Sequence, residues 1–270
     1  MFRQWLCSAM GVLVLAAAAS AQLVDEFNPP PSGCCLSMSA HRLAAQLDDW
    51  NQLGRYHQAN KELKAQPVEP GRVVFYGDSI TDVWKLAESF PGKPYVNRGI
   101  GGQTTSQMLG RMYADVIELK PRAVILLAGT NDIARNTGPM TATMIQQNIK
   151  AITELAKHNG IKVILCSILP VSDYPFERSQ KSLSPDPKTP MRNVSQKTNG
   201  RPPSDILKMN AWLKSYASEV GAIYVDYFGP MVDEKGWLKD GYAEDGLHPN
   251  AEGYRIMAPI AEAAIQQALK

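Results

Sequence analysis

Apolar positions along this chain fall into two alternating patterns. Short, β-rich runs occur at 73–76, 95–97, 123–128, 162–168 and 222–227; such short apolar runs read as buried strands. Between them apolar residues recur every three or four positions, which is helical spacing. Met108, Met112, Val116 and Leu119 form one such series, Ile145, Ile149, Ile152 and Leu155 a second, and Ile206, Leu213, Tyr216 and Val220 a third. Strands separated by helices require crossovers and a parallel sheet. The pattern predicts one three-layer α/β/α domain over residues 39–270, with a parallel sheet of about five strands. An amphipathic helix over Arg42–Leu63 is expected before the first strand, and a last helix from an Asn250 cap to about Leu269.

The N-terminus stands outside this pattern. Arg3 precedes an uncharged apolar run, Trp5 to Ala19, that ends in Ala19-Ser20-Ala21. This is the layout of a secretory signal with a small-residue cleavage site. Residues 1–21 are therefore expected to be removed by cleavage after Ala21, and 22–38 to form a linker. The mature protein is then secreted or periplasmic, with no stable membrane span. The competing reading, an uncleaved anchor over Gln4–Val24, fits the Ala-x-Ala end less well. Cleavage removes Cys7 and leaves Cys34, Cys35 and Cys166, a set that supplies no Cys-rich metal site. Cys166 lies within an apolar run and reads as a small buried hydrophobe. With 28 Lys and Arg against 26 Asp and Glu, the formal charge is +2. So small a balance gives no footprint for nucleic acid or an anionic membrane.

In an open parallel sheet, sites form beyond the carboxyl ends of the strands. The residues there are Gly77-Asp78-Ser79-Ile80 after the first run and Asn97-Arg98-Gly99-Ile100-Gly101-Gly102-Gln103-Thr104 after the second. Gly129-Thr130-Asn131-Asp132 follows the third, and Asp245-Gly246-Leu247-His248-Pro249 precedes the last helix. Each block alone is ordinary turn and cap chemistry. All four together, in this order, resemble the GDSL or SGNH hydrolase family, over roughly Val73 to Lys270. The chain looks most similar to the branch of bacterial acylhydrolases and platelet-activating-factor acetylhydrolase-like proteins. The resemblance implies a flavodoxin-like sheet and hydrolysis of carboxylic esters.

The residue chemistry points the same way. Acyl transfer needs a nucleophile, a base that returns the proton, a group orienting that base, and donors aimed at the oxyanion. Ser79 fits the nucleophile and His248 the base. Asp245, in the family's Asp-x-x-His arrangement, fits the orienting group better than Asp233 or Asp240. The Ser79 and Gly102 amides and the Asn131 side chain fit an oxyanion hole. In supporting roles, Asp78 is expected to hold the Ser79 turn, Asn97 to brace the second loop, and Asp132 to cap the helix that follows it.

A nucleotide site is the rival reading of Gly99-Ile100-Gly101-Gly102. The third Gly of a dinucleotide fingerprint would fall at Thr104, and a P-loop Lys is missing. One long stretch lacks periodicity: Val171–Pro203, with six prolines and a net charge of +3. It leaves the catalytic edge of the expected sheet, so it is expected either to line the acyl site through Tyr174 and Phe176 or to be a solvated excursion. Taken together, the sequence predicts a secreted serine esterase for small or medium acyl esters, using no metal or cofactor. O-acetylated carbohydrate is the leading substrate and a lysophospholipid-like ester the second. Acyl transfer to an acceptor other than water, or a non-catalytic carbohydrate-binding version of the fold, are the alternatives.

Overall fold

The computed structural model describes residues 44, 47–181 and 195–270. The expected signal peptide and linker, with Cys7, Cys34 and Cys35, lie outside the described residues. So do His41 and the middle of the Pro-rich stretch.

Five strands form one parallel sheet: β1 Val73–Gly77, β2 Tyr95–Gly99, β3 Ala123–Leu127, β4 Lys162–Cys166 and β5 Ile223–Val225. Their spatial order is β2-β1-β3-β4-β5, which is the flavodoxin-like order. The chain moves outward from β1 to β2 and then returns to the other side of β1 as β3, so the order reverses at β1. In register, Gly77 lies beside both Gly99 and Leu127. The loops that leave these three strands therefore start level with one another around the reversal point, where open α/β sheets bind ligands.

The helices are α1 His57–Lys64, α2 Ser79–Asp82, α3 Leu86–Ser89, α4 Thr105–Asp115, α5 Thr130–Ile133, α6 Ala142–His158, α7 Tyr174–Lys181, α8 Lys197–Gly200, α9 Pro203–Val220, α10 Phe228–Met231 and α11 Ala251–Leu269. The pleat sends alternate strand residues to opposite faces. Val74, Tyr76, Val124, Leu126, Val163 and Leu165 pack with Met108, Ile149 and Leu213 of α4, α6 and α9. Phe75, Ile125, Ile164 and Val225 pack on the other side with Trp84 and with Met257, Ala261 and Ile265 of α11. Every residue of β1 and β3 is buried. Covered on both faces, these strands read in sequence as unbroken apolar runs rather than alternating ones.

Two expectations are corrected. The single helix over Arg42–Leu63 is broken: Asp49–Asn51 turn, Gln52 adopts a left-handed conformation with φ 57°, and a 3₁₀ turn at Leu53–Tyr56 leads into α1. The cause is local, since the Asp49 carboxylate accepts from the Leu53 and Gly54 amides at 2.8 and 2.7 Å and so competes with the helical ladder. The Pro-rich stretch is also less irregular than its sequence suggests, because α7 and α8 lie at its two ends. Asn250 caps α11 as expected, accepting from the Glu252 and Gly253 amides.

Candidate active site

The elbow that carries Ser79 is built by the residue before it. β1 ends at Gly77, and Asp78 turns the chain into α2, its Oδ1 accepting from the Ile80 amide at 3.0 Å. Ser79 is therefore the first residue of a helix. Burial pushes the Asp78 carboxyl up to about 6, against the Ile80 hydrogen bond and the His248 charge, which lower it. Its second oxygen, Oδ2, is buried with no hydrogen-bond partner among the described residues. Asn97 braces the same turn from β2: its amide nitrogen donates to the Thr81 carbonyl at 2.6 Å and to the Trp84 carbonyl at 3.1 Å, while its oxygen accepts from the Gly99 amide.

From the opposite end of the chain, His248 reaches this elbow. Its Nε2 lies 2.9 Å from Ser79 Oγ, and its Nδ1 lies 2.8 Å from Asp245 Oδ2. A carboxylate only accepts, so Nδ1 carries the proton to Asp245 and Nε2 is left to accept from the serine hydroxyl. Burial raises the Asp245 carboxyl, but the His248 ring and the His248 and Leu247 amides outweigh it, and the net shift is well below the usual carboxylate range. The loop between the two residues depends on Gly246. Its φ is +79°, and a Cβ there would lie 2.2 Å from the Ser172 carbonyl oxygen. The Ser172 amide in turn donates to the Gly246 carbonyl at 2.8 Å.

Donors gather on the β2 and β3 side of Ser79. Gly102, with φ +79°, is exposed at the turn before α4. Among the described residues, neither its amide nor that of Ser79 has a protein acceptor. Asn131 is buried in α5 and donates one amide hydrogen to the Gln103 carbonyl at 3.0 Å, leaving its other hydrogen uncommitted. Asp132 departs from expectation. It lies within α5 and turns to the start of α4, accepting from the Thr105 amide at 3.0 Å and from the Thr105 hydroxyl. It caps α4 rather than the next long helix, α6, which is capped by Thr141.

Other residues around the site were not foreseen. Arg111 is fully buried beneath the elbow, where it donates to the Gly77 carbonyl at 3.0 Å and to Gln103 Oε1 at 2.6 Å, and pairs with Asp115 at 2.9 Å. Tyr254 of α11 donates to the Ile80 carbonyl at 2.6 Å. From the Pro-rich stretch, Arg201 reaches Thr130 and Asn131, and Lys197 Nζ lies 3.8 Å from Asp245 Oδ2. Tyr174, a contact of the acyl site in one of the two readings of this stretch, donates its hydroxyl to Asp233 and sets its ring against Trp237, 5.2 Å between centroids. Cys166 is buried, which pushes its thiol up. His57 and His158 are exposed on helices.

This fold and this grouping define a class, α/β hydrolases with a serine at the first strand and a histidine before the last helix. The chain belongs to the GDSL-like Lipase/Acylhydrolase family, whose model matches residues 75–256. A Bacteroides fragilis protein, provisionally designated an acylhydrolase, shares 38% identity, with a TM-score of 0.70 over 82% of this chain and 99% of its own. Esterase TesA of Pseudomonas aeruginosa is 33% identical over 31% of this chain and 40% of its own length. The uncharacterized lipoprotein YqeF of Bacillus subtilis is 34% identical over 28% of this chain and 32% of its own length. The chain thus spans about a third to two fifths of these curated relatives. No helix among the described residues is long and apolar enough to cross a membrane.

Proposed function

We propose that this protein is a serine esterase that cleaves small or medium acyl esters through an acyl-serine intermediate, with Ser79, His248 and Asp245 as its triad. The observation that carries this reading is the continuous relay of 2.9 and 2.8 Å from Ser79 Oγ through His248 to Asp245, beside amides at Ser79 and Gly102 that have no protein acceptor among the described residues. Ser79 Oγ attacks the ester carbonyl carbon as its proton passes to His248 Nε2. The negative charge that forms on the carbonyl oxygen is received by the two amides and Asn131 Nδ2. Collapse breaks the bond to the alcohol, which leaves with the proton from His248. Water then attacks the acyl carbon, gives its proton to His248, and the acid departs as that proton returns to Ser79.

Ser79 at the start of α2 suits this role, because free helix N-terminal amides favour negative charge. Secretion after cleavage at Ala21 remains part of the proposal, supported by the signal-like N-terminus and by a matched relative named a lipoprotein. Export places the enzyme among extracellular esters, so O-acetylated carbohydrate is the substrate we favour. A second reading, a longer acyl or lysophospholipid-like ester, draws on a groove of about 560 Å³ lined by Val83, Trp84, Pro249 and Tyr254, next to the Ser79 helix and the His248 loop.

The test is a hydrolysis screen of the purified mature protein over acyl chain length and over acetylated saccharides. Ser79→Ala is expected to lower turnover by several orders of magnitude with the fold intact, and a serine-directed phosphonate to label Ser79. Near-normal turnover in a folded Ser79→Ala protein, with labelling elsewhere, would end the reading.

A further inference from the structure

We propose that Arg201 is a positioning residue of the oxyanion hole, holding the Asn131 amide so that its free N–H points at the developing charge. This rests on the esterase reading above and adds to it a residue outside the four blocks. Arg201 Nη2 donates to Asn131 Oδ1 at 3.2 Å and its Nε donates to Thr130 Oγ1 at 3.0 Å.

The hydrogen-bond chemistry makes the arrangement unambiguous. A guanidinium only donates and a backbone carbonyl only accepts. Asn131 Oδ1 must therefore face Arg201, and Asn131 Nδ2 must face the Gln103 carbonyl, 3.0 Å away. With one anchor the amide plane can swing about it; with two it is fixed, and the second N–H of Nδ2 has one direction. A planar fork is suited to this, since its two bonds to neighbouring residues cannot rotate independently. Thr130 and Asn131 are adjacent in α5, so the fork grips the helix and the amide together.

Arg201 is itself held in place. It follows α8 directly, its amide donating to the Lys197 carbonyl. The start of α8 is clamped by buried Asp173, whose carboxylate accepts from the Lys197 amide at 2.6 Å, from the Thr198 amide at 3.1 Å and from the Thr198 hydroxyl. Burial lowers the Arg201 pKa while the Asp78 and Asp245 charges raise it, so the cation sits among the carboxylates of the site. The oxyanion hole thus draws its orientation from a segment the family blocks do not include.

The test measures kcat and KM for a small activated acetate ester in Arg201→Met, Arg201→Lys, Asn131→Ala and the Arg201→Met/Asn131→Ala double variant. Asn131→Ala is expected to lower kcat about 100-fold. Arg201→Met should lower kcat about 10-fold with KM within about twofold, because a misdirected donor is felt mainly in the transition state. The double variant should be no slower than Asn131→Ala, since Arg201 acts through that side chain. Arg201→Lys keeps the charge without the fork and should fall between wild type and Arg201→Met. The rate at which a phosphonate labels Ser79 should drop in parallel, because its P=O occupies the oxyanion position. Additive losses in the double variant, a change confined to KM, or full turnover in Arg201→Lys would each overturn the proposal. Undiminished turnover in Asn131→Ala and Ser79→Ala would instead overturn the esterase reading itself.

Discussion

Asp78 is held in a conflict between its cap and its surroundings. One oxygen is bound to the Ile80 amide, the other is buried with no partner among the described residues, and burial raises its pKa to about 6. For a carboxyl whose folded pKa lies above its unfolded value near 4, the folded state holds the proton more tightly. Stability is then greatest below the unfolded pKa and falls as pH rises through the window from about 4 to about 6. The difference between about 4 and about 6 corresponds to roughly 3 kcal/mol. Asp78→Asn keeps an oxygen for the Ile80 amide and cannot ionise. Denaturant midpoints of the two proteins at pH 4 and pH 7 should therefore diverge, with the Asn variant gaining on wild type as pH rises. Equal pH dependence in both would show that Asp78 ionises without penalty.

At the scale of the element, the loop from Asp245 to His248 works only because it can lie against the strand β4 exit. Gly246→Ala places a Cβ within 2.2 Å of the Ser172 oxygen at a φ of +79°. A left-handed backbone alone costs a non-glycine residue about 1 kcal/mol or more, and here the backbone must also move. The expected outcome is a lower Tm together with a fall in kcat, as His248 is carried away from Ser79. A variant that loses stability but keeps full turnover would mean the loop relaxes on the Ser172 side instead.

Elements also show what the sequence could and could not reveal. All five strands and the α4, α6 and α9 series are legible because the sheet buries both faces and each helix buries one, so burial is written as periodicity. The four blocks are legible for a related reason, three following an apolar run at the edge where a parallel sheet opens and the fourth standing just before the last helix. Arg201 is not, since it lies in an aperiodic stretch and finds Asn131 only through the folded chain. Arg111 hides inside a correctly read helix, because a pattern of apolar positions says nothing about a charged residue buried among carbonyls. Asp132 misleads in the opposite direction: capping chemistry is visible in its side chain, but which helix it caps is decided by tertiary packing.

For the whole molecule, the order β2-β1-β3-β4-β5 has a consequence for how the chain can be divided. A cut anywhere in residues 182–194 leaves Ser79, Gly102 and Asn131 on one piece, with four strands of the sheet. The other piece keeps Arg201, Asp245 and His248, with β5, α9 and α11. The two halves of the proposed relay are thus inherited separately, and neither piece can complete an acyl transfer. Yet β4 presents its open edge to β5, Ile164 facing Ile223 and Cys166 facing Val225, and α11 carries the apolar residues that cover β3 and β4. Co-expressed fragments 22–188 and 189–270, both without the signal-like segment, are expected to be silent alone and to regain ester hydrolysis together, at a level that rises with the concentration of both. The enzyme would then serve as its own reporter of association, its turnover counting how often an edge strand finds its sheet; a reassembled pair, seen by size-exclusion chromatography, that stays inactive would rule this out.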